Sequence, residues 1–87
     1  MDTGCEADCF VGVDVAKARL DICVRPSGET FTTGRDAAGV DALVARLREL
    51  APRLVVMEAT GGFEVVVATA LATAGLPVAV ILSLIHI

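Results

Sequence analysis

Aromatic side chains are nearly missing from this chain: three phenylalanines occur in 87 residues, with no tryptophan and no tyrosine. A core must therefore come from valine, leucine, isoleucine and alanine, and a hydrophobic content of 55% supplies it. That content excludes a disordered chain. Histidine occurs once, at His86, and cysteine three times, at Cys5, Cys9 and Cys23. No second Cys/His pair stands at zinc-site spacing, which argues against a structural zinc. An odd cysteine count without a secretory signal points to reduced cytosolic thiols. Positive charge is scarce as well: seven Lys and Arg against eleven Asp and Glu leave a net charge of -4 and a pI of about 4.7. Non-specific affinity for nucleic acid comes mainly from Lys and Arg neutralising phosphates. Any nucleic-acid role here needs metal ions at an acidic site, or basic surface elsewhere.

Formal charge is absent throughout Val65 to Ile87. A membrane span needs roughly 20 such residues, but Gly75 and Pro77 interrupt this stretch and would break a helix there. No membrane association is expected. Met1 to Asp8 is acidic and lacks the basic-then-apolar order of a signal peptide, so the expected location is the prokaryotic cytoplasm. There are no internal repeats, linkers or low-complexity tracts, and the length fits one domain. A domain of this size buries only about 60–65% of its unfolded surface.

What is present begins with Phe10 to Val24. Val11, Val13 and Val15 alternate with Phe10, Gly12 and Asp14, a period of two that predicts a strand with one aliphatic face and one face carrying the acid. A charged break at Lys17 and Arg19 precedes a second β-rich run, Leu20 to Val24. Pro26-Ser27-Gly28 is turn chemistry, and Glu29 to Thr33 returns as a third, more exposed strand, completing an antiparallel meander. Asp36 is placed to cap a helix whose apolar face is Val40, Leu43, Val44, Leu47 and Leu50. Pro52 ends it. Leu54 to Met57 reads as a strand buried on both faces, ending at Glu58. Thr60 can cap a second helix with a buried stripe of Phe63, Val66, Val67, Ala70, Leu71 and Ala74. Gly75 closes that helix, and Pro77 to Ile81 forms a last strand. Right-handed crossovers then give a mixed α/β sheet. If the first strand is central, the fourth lies parallel to it and brings Glu58 beside Asp14.

Asp14 has two readings. Strand propensity disfavours an Asp inside a Val-rich strand, and burying it unpaired is costly, so it marks a site where function overrode the local rule; or it sits at a strand end and caps a turn. Glu58 likewise is either a site acid or an acid facing the dipole of the helix that starts near Gly62. Two carboxylates on neighbouring strand ends repel unless a cation joins them. Oxygen-only ligands suit magnesium or manganese. Asp21, Glu29 and Asp41 fall on faces that could simply be solvated. Gly61 and Gly62 permit close approach of a phosphate, and their free amides could bind an anion.

Several segments together resemble a known family: Val11 to Lys17, then Leu20-Asp21, Asp36 to Gly39, Val55 to Glu64, and Ala74 to Val78. They are similar to the IS-one-ten family of bacterial insertion-sequence transposases, a group that includes the Piv-type DNA invertases. The resemblance implies the N-terminal part of a RuvC-like, ribonuclease H-like domain over residues 1–81, with three antiparallel strands and then helix–strand–helix–strand. It implies a D-E-D-D acidic tetrad, of which Asp14 matches the first acid and Glu58 the second. The two later aspartates and a C-terminal serine domain have no counterpart here, and Ser83 lies too early to be that serine. Magnesium- or manganese-dependent DNA transposition guided by a structured RNA and a homo-oligomeric full-length protein are further implications. Nucleic-acid contacts are expected from Lys17, Thr60, Gly61 and Gly62. Leu82 to Ile87 departs from the family and reads as a translated sequencing adapter, so residues 82–87 are expected to be a non-native apolar tail; a native apolar C-terminus is the alternative. Sugar kinases and actin-like ATPases share the core and the opening Gly-x-Asp strand, but place a glycine where this chain has Ala16-Lys17. A non-catalytic binding or membrane module would not need Asp14 and Glu58 together.

Overall fold

The computed structural model describes residues 9–58 and 62–81. Seven elements follow in order: β1 (Phe10–Val15), β2 (Arg19–Arg25), β3 (Thr30–Gly34), α1 (Ala37–Leu50), β4 (Leu54–Glu58), α2 (Phe63–Thr73) and β5 (Val78–Ile81). They form one five-stranded sheet in the order β3-β2-β1-β4-β5. β1 pairs antiparallel with β2 and parallel with β4, β2 pairs antiparallel with β3, and β4 pairs parallel with β5. The meander and the two crossovers expected from the sequence are both present, with β1 in the centre. The apolar segment 82–87 lies outside the described residues.

Period-two alternation sorts the strands into two faces. Val11, Val13 and Val15 of β1, Leu20, Ile22 and Val24 of β2, and Val55 and Met57 of β4 are buried on one face. Val40, Leu43 and Leu47 of α1 and Val67 and Leu71 of α2 close over that face in one cluster. The opposite face carries Phe10, Gly12 and Asp14 on β1 and Leu54, Val56 and Glu58 on β4. β4 therefore departs from the expectation of burial on both faces: Leu54 and Val56 are only half-buried. A continuous apolar run belongs to a parallel strand covered on both sides, and the two described helices share one side.

Local chemistry sets the helix ends. Gly39 N–H donates to Asp36 Oδ1 at 2.9 Å, so Asp36 caps α1 as expected. Ala51 takes a left-handed conformation (φ 48°) and returns its N–H to the Leu47 carbonyl, just before Pro52. Arg46 pairs with Glu29 at 2.9 Å and with Glu49 at 3.2 Å, tying α1 to the turn after β2. Hydrogen bonds to Glu29 first, then Glu49, hold its guanidinium above the ordinary arginine pKa. Exposed pairs of this kind add little stability.

α2 departs from its expected rotation. Its N-cap is Gly62, with φ 108°, and Thr60 lies outside the described residues. Glu64, Val67 and Leu71 are buried, whereas Phe63 and Val66 are 38% and 63% exposed. Nearly every position of this helix is apolar, so periodicity alone does not choose a face. Glu64 lies on the buried side in the first turn, its Oε1 accepting the Gly62 N–H at 3.1 Å.

Gly39 supplies a test in which propensity and packing have opposite signs. Helix propensity favours alanine over glycine by about 1 kcal/mol. A Cβ on Gly39, however, would overlap the Gly34 carbonyl, at the end of β3. Backbone cannot rotate away as a side chain can. Gly39→Ala should therefore destabilise the chain, by about 1–3 kcal/mol, in urea unfolding; a more stable variant would contradict this packing.

Candidate functional site

The pairing of β1 with β4 runs from Phe10↔Leu54 to Val13↔Met57. Asp14 and Glu58 are the next residues on their strands, so the register brings them side by side at the same end of two adjacent parallel strands. Both point to the open face, where they are exposed and line one shallow depression of about 670 Å³. In open α/β sheets such carboxyl ends are the usual ligand position. Among the described residues, neither carboxylate has a hydrogen-bond or ion-pair partner.

On the other side of Asp14 stands a third acid. Asp21 of β2 is directly opposite Asp14 in the antiparallel register and lines the same depression. Its oxygens are already engaged: Thr32 Oγ1 donates to Oδ1 at 2.9 Å, and Arg19 Nε donates to Oδ2 at 3.3 Å. Asp21 is therefore more than a solvated acid on an indifferent face. The signal lay in the hairpin: a short turn at residues 16–18 fixes the register, and register decides which side chains face each other.

The carboxylates of this depression left without a partner among the described residues are thus Asp14 and Glu58. Among the described residues no group of three or more His, Cys, Asp or Glu side chains is placed to hold a metal ion together. Two carboxylates are nevertheless what magnesium takes from a protein, its other positions going to waters and phosphate oxygens. The hard oxygen donors present fit that ion.

The remaining expected contact residues fare differently. Lys17 is exposed in the turn between β1 and β2, and its backbone carbonyl accepts a hydrogen bond from Arg35 Nε at 2.6 Å. The Gly62 amide, expected to be free for an anion, is occupied by the Glu64 carboxylate. A carboxylate at a helix N-terminus satisfies both the dipole and the open amide, so Glu64 fills the helix-facing role that was one reading of Glu58. Thr60 and Gly61 lie outside the described residues.

Like charges directly opposite on a sheet destabilise it by a fraction of a kcal/mol. With divalent cations chelated, Asp14→Asn should therefore stabilise the chain against urea, by about 0.5 kcal/mol. A loss of stability would mean instead that the Asp14 carboxylate caps a turn.

Among the described residues no helix is long and apolar enough to cross a membrane. No curated protein matches the chain. Among solved structures, RuvC of T. thermophilus, in complex with a Holliday junction substrate, matches with a TM-score of 0.62 and 17% sequence identity. The match covers 87% of this chain and 65% of RuvC, so this chain spans just under two thirds of that protein. At that identity the likeness establishes the fold: a RuvC-like, ribonuclease H-like mixed sheet. A family model, DEDD_Tnp_IS110, described as a transposase, matches residues 11–86 and so runs through most of the apolar tail. With nearly the whole length matched, this chain belongs to the IS-one-ten DEDD transposase family.

Proposed function

We propose that residues 1–81 are the N-terminal part of a transposase catalytic domain that performs metal-dependent phosphodiester chemistry on DNA during insertion-sequence transposition. The carrying observation is the placement of Asp14 and Glu58 at the same end of adjacent parallel strands, on the same face. Asp14, on the central strand, and Glu58, beside it, would hold magnesium or manganese through their carboxylate oxygens. Divalent ions in such a site activate the attacking oxygen and stabilise the leaving one. The protein's part is to keep two anionic oxygens together on a stiff sheet, where mutual repulsion favours a shared cation. DNA is the substrate this reading requires, and the Holliday junction bound to RuvC supports it. An RNA guide and homo-oligomeric assembly belong to the same proposal and rest on the family.

The net charge of -4 agrees with this division of labour: an acidic face without its cation repels phosphates. Lys17, beside the turn that follows Asp14, is the basic residue nearest in sequence to the site. The membership in a transposase family favours this reading over a kinase or ATPase.

Two measurements test it. Magnesium or manganese at ten times its dissociation constant should stabilise the chain by about 1.4 kcal/mol, and Asp14→Asn and Glu58→Gln should each abolish the gain. Equal stabilisation of all three proteins would place the cation elsewhere. The 87-residue chain should also show no DNA cleavage or strand transfer, because catalytic groups acting as a unit fail together and only two of the four acids of the D-E-D-D pattern are matched. Metal-dependent cleavage that disappears in Asp14→Ala would overturn that expectation.

A further inference from the structure

Arg35 lies between β3 and α1, away from both acids in sequence, yet it touches the segments that follow each of them. Its Nε donates to the Lys17 carbonyl at 2.6 Å, in the turn three residues after Asp14. Its guanidinium stacks over the Phe63 ring, 4.4 Å from the centroid, at the first residue of the helix that follows Glu58. The backbone on either side is held: Gly34 ends β3, and Asp36 is tied to Gly39 by the α1 cap. One planar side chain thus joins the turn after β1 to the first residue of α2.

We propose that Arg35 is a positioning residue that sets the relative placement of the Asp14 and Glu58 carboxylates. This inference rests on the reading of those two acids as a cation site. The β1–β4 pairing runs through Val13 and Met57, so the two acids lie one residue past it, each registered with its outer neighbour, Asp14 with Asp21 and Glu58 with Ile81, and not with each other. Arg35 adds a link across this gap, from the turn three residues after Asp14 to the first residue of α2. Arginine suits the task because its flat guanidinium can stack on a ring and donate in its plane at once, which a lysine ammonium cannot. Phe63, exposed on α2 when a buried stripe was expected to include it, gains a role as the stacking surface.

The sign of one measurement separates this role from plain electrostatics. Arg35 carries a positive charge, so removing it should leave cation binding unchanged or tighten it if charge alone matters. If positioning matters, removing it weakens binding. The experiment is manganese titration of the 87-residue chain, with free manganese read by electron paramagnetic resonance and folding checked by circular dichroism. Arg35→Met should raise the manganese dissociation constant about tenfold, the lower end of what supporting residues contribute. Phe63→Leu, which leaves the charge in place, should weaken binding in the same direction, and Phe63→Tyr should restore it. If Arg35→Met fails to fold, Phe63→Leu and Phe63→Tyr carry the comparison. Unchanged or tighter binding in Arg35→Met and Phe63→Leu overturns the positioning role while leaving the acid pair intact. Wild-type binding no better than that of Asp14→Asn overturns the site reading and the positioning role together.

Discussion

Everything proposed for this chain depends on the parallel pairing of β1 with β4. These strands are separated in sequence by a hairpin, a third strand and a helix, so nothing local brings them together. Burial does. Val11, Val13, Val55 and Met57 are all removed from water on the same face, and a slip of one residue would move each apolar set to the solvent face. Register is therefore determined by the core, and the residues just past the last pair inherit it. Asp14 and Glu58 are neighbours because valines and a methionine elsewhere on their strands must be buried.

The two faces of the sheet divide the work. Between the sheet and the helices α1 and α2 lie the side chains that hold the fold together, with Leu20, Leu43, Leu47, Val55, Val67 and Leu71 at 0% exposure. The opposite face carries the acids, with Asp21 held by Thr32 and Arg19 beside them. Because alternation is strict, a change in chemistry on one face does not enter the core on the other. The open face tolerates a repulsive pair of carboxylates that the core could not. That separation is how a site can be less than optimal for stability while the fold stays intact.

Much of this was legible in the residues. Period-two valines located β1 and its polar face, Asp36 and Pro52 bracketed α1, and the turn residues at Pro26 to Gly28 placed the hairpin. Two of the family segments, Val11 to Lys17 and Val55 to Glu64, carry the acids that the β1–β4 register sets side by side. What was not legible has a common cause: it depends on which surface another element covers. Leu54 and Val56 look like residues buried on both faces, yet the described helices sit on one side. The rotation of α2 is not legible because a mostly apolar helix carries little directional pattern, and a buried Glu64 accepting the Gly62 amide is a polar feature that pattern rules discount. The contact of Arg35 with both Lys17 and Phe63 joins residues far apart in sequence, and no local rule anticipates it.

The central claim is that a divalent cation is held between the ends of β1 and β4. Paramagnetic broadening by manganese at a small fraction of the protein concentration, followed amide by amide in a nitrogen-15 correlation spectrum, tests it directly, because broadening falls steeply with distance from the ion. The account predicts that the first signals lost belong to residues 13–15 and 56–58, and that Asp14→Asn restores them. Broadening centred instead on the acids of α1, Asp41 and Glu49, with the ends of β1 and β4 unaffected, would contradict it.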